Sequence, residues 1–134
     1  MSVDSTKDIE KIEEVARIFC EGITECKYEK IFKVFHPEAK SIVINQKTNE
    51  LITLTREHWE ETHETGQCDP DINSSFKIEE IIAYGTIGFA HVKILDEFED
   101  KNVIYTDFIS LIKKEDDWII VNKIGHGEQQ PRKN

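Results

Sequence analysis

The chain has 134 residues, a length that suits one domain able to bury roughly two thirds of the surface its unfolded form exposes, so no metal or disulfide staple is required. Its 17 basic and 27 acidic residues leave a formal net charge of −10, which argues against nucleic acid and anionic membranes as partners, because both select a basic face. Three cysteines, Cys20, Cys26 and Cys68, have neither CxxC nor paired-metal spacing, no apolar run approaches a membrane span, and the N-terminus lacks a signal-peptide pattern; these features point to a reduced, cytoplasmic protein.

From Ser5 onward, Ile9, Ile12, Val15, Ala16, Phe19, Cys20 and Ile23 recur at helical spacing, with acids and lysines opposite. The spacing predicts an amphipathic helix of about five turns, capped by Ser5 or Thr6 and carrying Asp8 and Glu10 at the positive end of its dipole. Tyr28, Ile31, Phe32 and Phe35 make a second, shorter helical stripe that Pro37 is expected to stop. KSIVINQ and LITLT then read as a short hairpin. Thr55 caps a third helix, REHWEETHETG, which ends at Gly66 and turns Trp59 and Thr62 or His63 inward. QCDPDINSS reads as a loop.

Two longer strands follow, FKIEEIIAYG and GFAHVKILDEF, and after an acidic linker two more, over Val103 to His126. GEQQPRKN is a polar tail expected to fray. Helix, helix, two strands, helix, four strands makes a single α+β domain over 1–134, its core spanning 8–126, with the helices on one side of an antiparallel sheet of about six strands.

The last hairpin, VIYTDFISLIKKEDDWIIVNKIGH, carries the candidate site. With Glu115-Asp116 as its loop pair, Tyr105 faces His126, Asp107 faces Ile124, Ile109 faces Asn122 and Leu111 faces Ile120. Tyr105, Asp107, Asn122, His126, Trp118, Ile120 and Leu111 then share one face, and Ile104, Thr106, Phe108, Ser110, Ile112, Ile119 and Val121 the other. A slip of one residue would send Asp107 and Asn122 to opposite faces. Both faces are largely apolar, so each needs a cover.

Asp107 set among Ile109, Ile124 and aromatic rings would be poorly solvated, which suits a carboxylate that abstracts a proton. Tyr105 and Asn122 can donate to a developing oxyanion, and His126 can pair with Asp107 diagonally across the ladder. The bland alternative is that Asp107 satisfies a neighbouring backbone group or Tyr105, and that His126 is frayed and wet. Trp59 either stacks on a flat ligand or is ordinary core. Phe32 and Trp118 are further candidates for the ligand wall. His58 and His63 are not spaced as metal ligands on one helical face, Glu60-x-x-His63 occurs in a single copy, and no phosphate loop, nucleophile elbow or paired-cysteine motif occurs, so neither a metal nor a cofactor is expected.

The element order, with FHPEA closing the second helix, LTREHWEE opening the third and YTDFISLIKKEDDWIIVNKIGH at the end, resembles the nuclear-transport-factor-2-like superfamily, and within it the putative lumazine-binding or polyketide-cyclase-like branch. The resemblance implies a cone-shaped, strongly curved sheet around the helices, a pocket inside the cone, and homodimerisation through the outer face of the sheet. Its members include ketosteroid isomerases, dehydratases and polyketide cyclases as well as proteins without known activity, so the fold does not fix the function. Three expectations follow. The first is a small-molecule-binding homodimer taking a hydrophobic or flat organic ligand; the second is an isomerase, cyclase or dehydratase using Asp107 as acid or base; the third is a non-catalytic interaction module.

Overall fold

The structure is a computed structural model and describes residues 5–65, 69 and 71–131. Helices α1 (Ser5–Thr24) and α2 (Tyr28–Val34) lead into strands β1 (Phe35–Asn45) and β2 (Glu50–Thr55), then α3 (Arg56–Thr65), β3 (Asn73–Tyr84), β4 (Ile87–Glu97), β5 (Lys101–Lys114) and β6 (Asp117–Pro131). The strands form one curved, open sheet in the order β2-β1-β6-β5-β4-β3, with the helices against its inner face. The α+β order matches the sequence expectation. The sheet, however, is mixed: β1 runs parallel to β6, while every other pairing is antiparallel.

The apolar stripe of α1 forms the centre of the core. Ile12, Ala16, Phe19 and Cys20 are fully buried and meet Ala90 and Val92 of β4, Ile109 and Leu111 of β5 and Ile120 of β6. Each large side chain buried this way contributes roughly 1.5–3 kcal/mol. The helix approaches closely at Gly88, where a Cβ would stand 2.6 Å from the Ile12 Cδ1 atom. Asp8, in the first turn of α1, is buried and accepts a hydrogen bond from the Trp118 indole (3.2 Å) beside the Lys113 ammonium (3.1 Å), which ties the helix start to the β5–β6 turn.

Two boundaries differ from the sequence expectation. α2 ends at Val34, and Phe35 is already extended (φ −101°, ψ 122°), stacked on Phe19 at 6.1 Å. Pro37 lies inside β1 and bars helix from the residues before it. Lacking an N–H for the ladder, it sits where the β1–β6 register shifts, between Phe35 and Lys40. At the other end, residues 127–131 are not a frayed tail: β6 continues until Pro131 faces Lys101, because β5 starts early enough to supply ladder partners. Gly66 and the loop residues 66–68 and 70 lie outside the described residues, as does the side chain of His63. Cys20 is free but Cys26 is disulfide-bonded, which overturns the expectation of a fully reduced chain.

Candidate functional site

The β5–β6 hairpin has the two-residue loop expected, and both loop residues have positive φ, Glu115 at 52° and Asp116 at 70°, the geometry that matches the twist of antiparallel strands. Next to the turn the expected pairs hold, with Leu111 facing Ile120 and Ile112 facing Ile119. Between Ser110 and Leu111 the register shifts by one residue. This β-bulge leaves an extra residue on β6 and changes which face every later side chain of that strand occupies.

Beyond the bulge Asp107 faces Gly125, Tyr105 faces Gly127, Ile109 faces Lys123, Ser110 faces Asn122, Phe108 faces Ile124 and Thr106 faces His126. Asp107 and Tyr105 keep the inner face expected for them. Asn122 does not: it shares the outer face with Ser110, and Ile124 goes with it. Lys123 takes the inward position instead. Its ammonium pairs with Asp107 Oδ2 at 3.3 Å, with side-chain exposures of 10% and 7%, and lies 5.8 Å from the centre of the Phe19 ring.

The pair sits in the wall of an open-mouthed cavity of about 960 Å³ lined by β1, β2, β6, the first half of β5, the start of β3, the end of β4, the last residues of α1, Tyr28 of α2 and Trp59 of α3. α1 covers the part of the sheet nearest the β5–β6 turn, and the cavity is the part it leaves open. Ser41 and Val43 of β1, Gly125 and Gly127 of β6, and Tyr105 and Asp107 of β5 face it, with Trp59 and Tyr28 opposite. The Tyr28 and Trp59 rings are 5.9 Å apart and tilted by 50°. Ser74 donates to Asp96 at the rim (2.6 Å). Burial pushes the Tyr105 phenol above its ordinary range, and the charges of Asp96 and Asp107 add to the effect, so it is a neutral hydrogen-bonding group across physiological pH. Burial likewise pushes the Cys20 thiol up to about 12, with the Asp107 charge second.

Of the residues expected in the site, Asp107, Tyr105, Trp59 and His126 line this cavity. His126 does not pair with Asp107. It stands at the rim, its Nδ1 3.4 Å from the Gln46 amide and its Nε2 3.2 Å from Glu128 Oε1, since the bulge moves it opposite Thr106. Asn122, Phe32 and Trp118 lie elsewhere. Phe32 lies under the Arg56 guanidinium at 4.8 Å. Trp118 is core, bonded to Asp8, and borders a separate small cleft with Lys11, Glu14 and Lys33. Lys123, Gly125 and Gly127 were not anticipated, yet their alternation in KIGHG places all three on one face of a strand.

Asp107 is therefore not an isolated carboxylate among apolar groups. It is half of a buried ion pair, a fixed dipole set in an aromatic and aliphatic wall. Such an arrangement can orient a polar group brought against it; a base that abstracts protons would first have to leave its partner.

A family model described as putative lumazine-binding matches residues 7–126. No curated protein matches the chain. Among solved structures, an NTF2-like protein of unknown function from Shewanella baltica OS155 aligns with TM-score 0.78 at 20% identity, covering 95% of this chain and 98% of that one. A CaMKII hub from S. rosetta aligns with TM-score 0.70 at 10% identity over 90% and 96% of the two chains. A hexachlorocyclohexane dehydrochlorinase, LinA type 2, aligns with TM-score 0.68 at 9% identity over 92% and 88%. A hub and an enzyme thus share this fold, which fixes neither role.

Proposed function

Because the chain belongs to the putative lumazine-binding family, we propose that it binds a small, flat organic molecule in the inner cavity. The observation that carries this reading is the cavity itself. Its volume of about 960 Å³ is at the upper end of what small-molecule sites use, and it combines aromatic walls with a few fixed polar groups. Lys123 paired with Asp107 favours binding over proton abstraction by Asp107, so the isomerase-like reading ranks behind it.

A homodimer through the outer face of the sheet belongs to the same proposal. That face carries Ile82, Phe108 and Ile124, 51%, 44% and 50% exposed, together with Ile42, Phe89 and Ile112 on adjoining strands. These apolar groups, interspersed with Ser110, Asn122 and His91, form a patch that suits an isologous contact with a second copy. The disulfide at Cys26 weighs against a reducing cytoplasm.

The test is a fluorescence titration with lumazine as the flat probe. Binding in the cavity quenches Trp59 emission saturably, with one molecule per chain, and Trp59→Phe removes the quenching. Absence of saturable quenching in the wild-type chain, or its persistence in Trp59→Phe, counts against the cavity as the site.

A further inference from the structure

The inner face of β6 presents Lys123, Gly125 and Gly127 in alternation, opposite Ile109, Asp107 and Tyr105 of β5. Two successive inward positions thus carry no side chain of their own; Gly125 lies between Val43 and Asp107, and the Tyr105 ring leans over Gly127. A strand interior gives up packing and order to hold glycines, and one return is close approach of another group to the backbone. Asp107 leans into that space. A Cβ on Gly125 would stand 2.6 Å from Asp107 Oδ1 and 3.6 Å from Lys123 Nζ. The edge of a planar molecule laid on the glycines therefore meets an acceptor and a donor side by side.

Among the described residues Asp107 bonds only Lys123, through Oδ2, so Oδ1 and two of the three ammonium protons are left for a ligand. The charges restrict what that ligand is. A carboxylate placed here is repelled by Asp107, with Asp96 also in the wall, and an ammonium is repelled by Lys123. A neutral group that is itself a dipole meets neither penalty.

Resting on the reading of the cavity as a ligand site, we propose that its glycine floor selects a neutral planar ring bearing an N–H beside a C=O, a cyclic amide. The ring N–H donates to Asp107 Oδ1 and the carbonyl accepts from Lys123 Nζ, two charge-assisted bonds. The ring lies beside Gly125, between Val43 and Asp107, with the Tyr105 ring that covers Gly127 at its outer edge.

Four bicyclic probes of matched size test this: quinolin-2-one, N-methylquinolin-2-one, naphthalene and naphthalene-2-carboxylate. Quinolin-2-one is expected to bind roughly tenfold or more tighter than each of the others, the worth of a hydrogen bond to a charged group. In a nitrogen–proton correlation spectrum the Gly125 and Gly127 amides shift with it. In the double variant Asp107→Leu/Lys123→Met, naphthalene affinity is retained and the preference disappears. The proposal is overturned if the N-methyl compound or naphthalene binds as well as quinolin-2-one, if the carboxylate binds best, or if the preference survives in the double variant. In those cases shifts at Gly125 and Gly127 would leave the cavity reading intact. If no probe binds at all, the cavity reading fails and this proposal with it.

Discussion

Replacing Lys123 by Met leaves the Asp107 carboxylate buried without its cation. At 3.3 Å the pair attracts by about 5 kcal/mol at an effective dielectric constant of ~20, a gain largely offset by desolvating both groups. Removing one partner keeps the desolvation and loses the attraction, so Lys123→Met should cost about 3–5 kcal/mol. Removing both, in Asp107→Leu/Lys123→Met, should return stability to within about 1 kcal/mol of wild type or raise it. Urea denaturation followed by circular dichroism measures the cycle; with a slope of about 1–3 kcal/mol per molar, the single variant shifts the midpoint by on the order of 2 M. A loss below about 1 kcal/mol for Lys123→Met would refute the reasoning, because it would mean that water already solvates Asp107 and that the pair is no fixed dipole.

Three further outcomes follow from other parts of the structure. The Lys113 hydrogen bond holds the Asp8 carboxyl below its ordinary range, with Trp118 assisting against the opposing effect of burial. A carboxyl depressed in the folded state contributes stability that is complete above its unfolded value of about 3.9 and is lost as pH falls through the folded value, so Asp8→Asn should lower the melting temperature near neutrality and flatten its fall below about pH 4. Cys20, with no exposed surface and its thiol pushed up to about 12, should resist alkylation at neutral pH in the native chain and react once the chain is unfolded; ready labelling of the native thiol would contradict the packing of α1. Phe108→Glu should convert a dimer to a monomer in sedimentation velocity with no change in circular dichroism, because the residue lies on the outer face and supports no part of the core.

How far the sequence could be read depended on the reach of each signal. Apolar periodicity gave α1 to within its ends, since Ile12, Ala16, Phe19 and Cys20 report a single face without reference to the rest of the chain. The same period-two reasoning placed Asp107 and Tyr105 inward, because β5 is regular along its whole length. It failed on β6 beyond the turn. A bulge near Val121 has no composition marker there, and one extra residue exchanges Asn122 for Lys123 on the inner face. The parallel pairing of β1 with β6 was hidden for a different reason: it joins segments about eighty residues apart, and nothing local records which strand a short hairpin will join. Lys123 also reads as a surface residue on statistics alone; only the glycines at 125 and 127, spaced with it at every second position, mark that face as unusual.

The claim that the inner cavity is a ligand site is tested most directly by filling it. Val43 faces the cavity beside Gly125, and Val43→Trp places an indole where a flat ligand would lie. Equilibrium titration of both chains with quinolin-2-one should show one saturable site in the wild type and none in Val43→Trp, while the melting temperature of the unliganded variant stays at or above that of the wild type. Equal binding by the two chains would place the ligand elsewhere and contradict the claim.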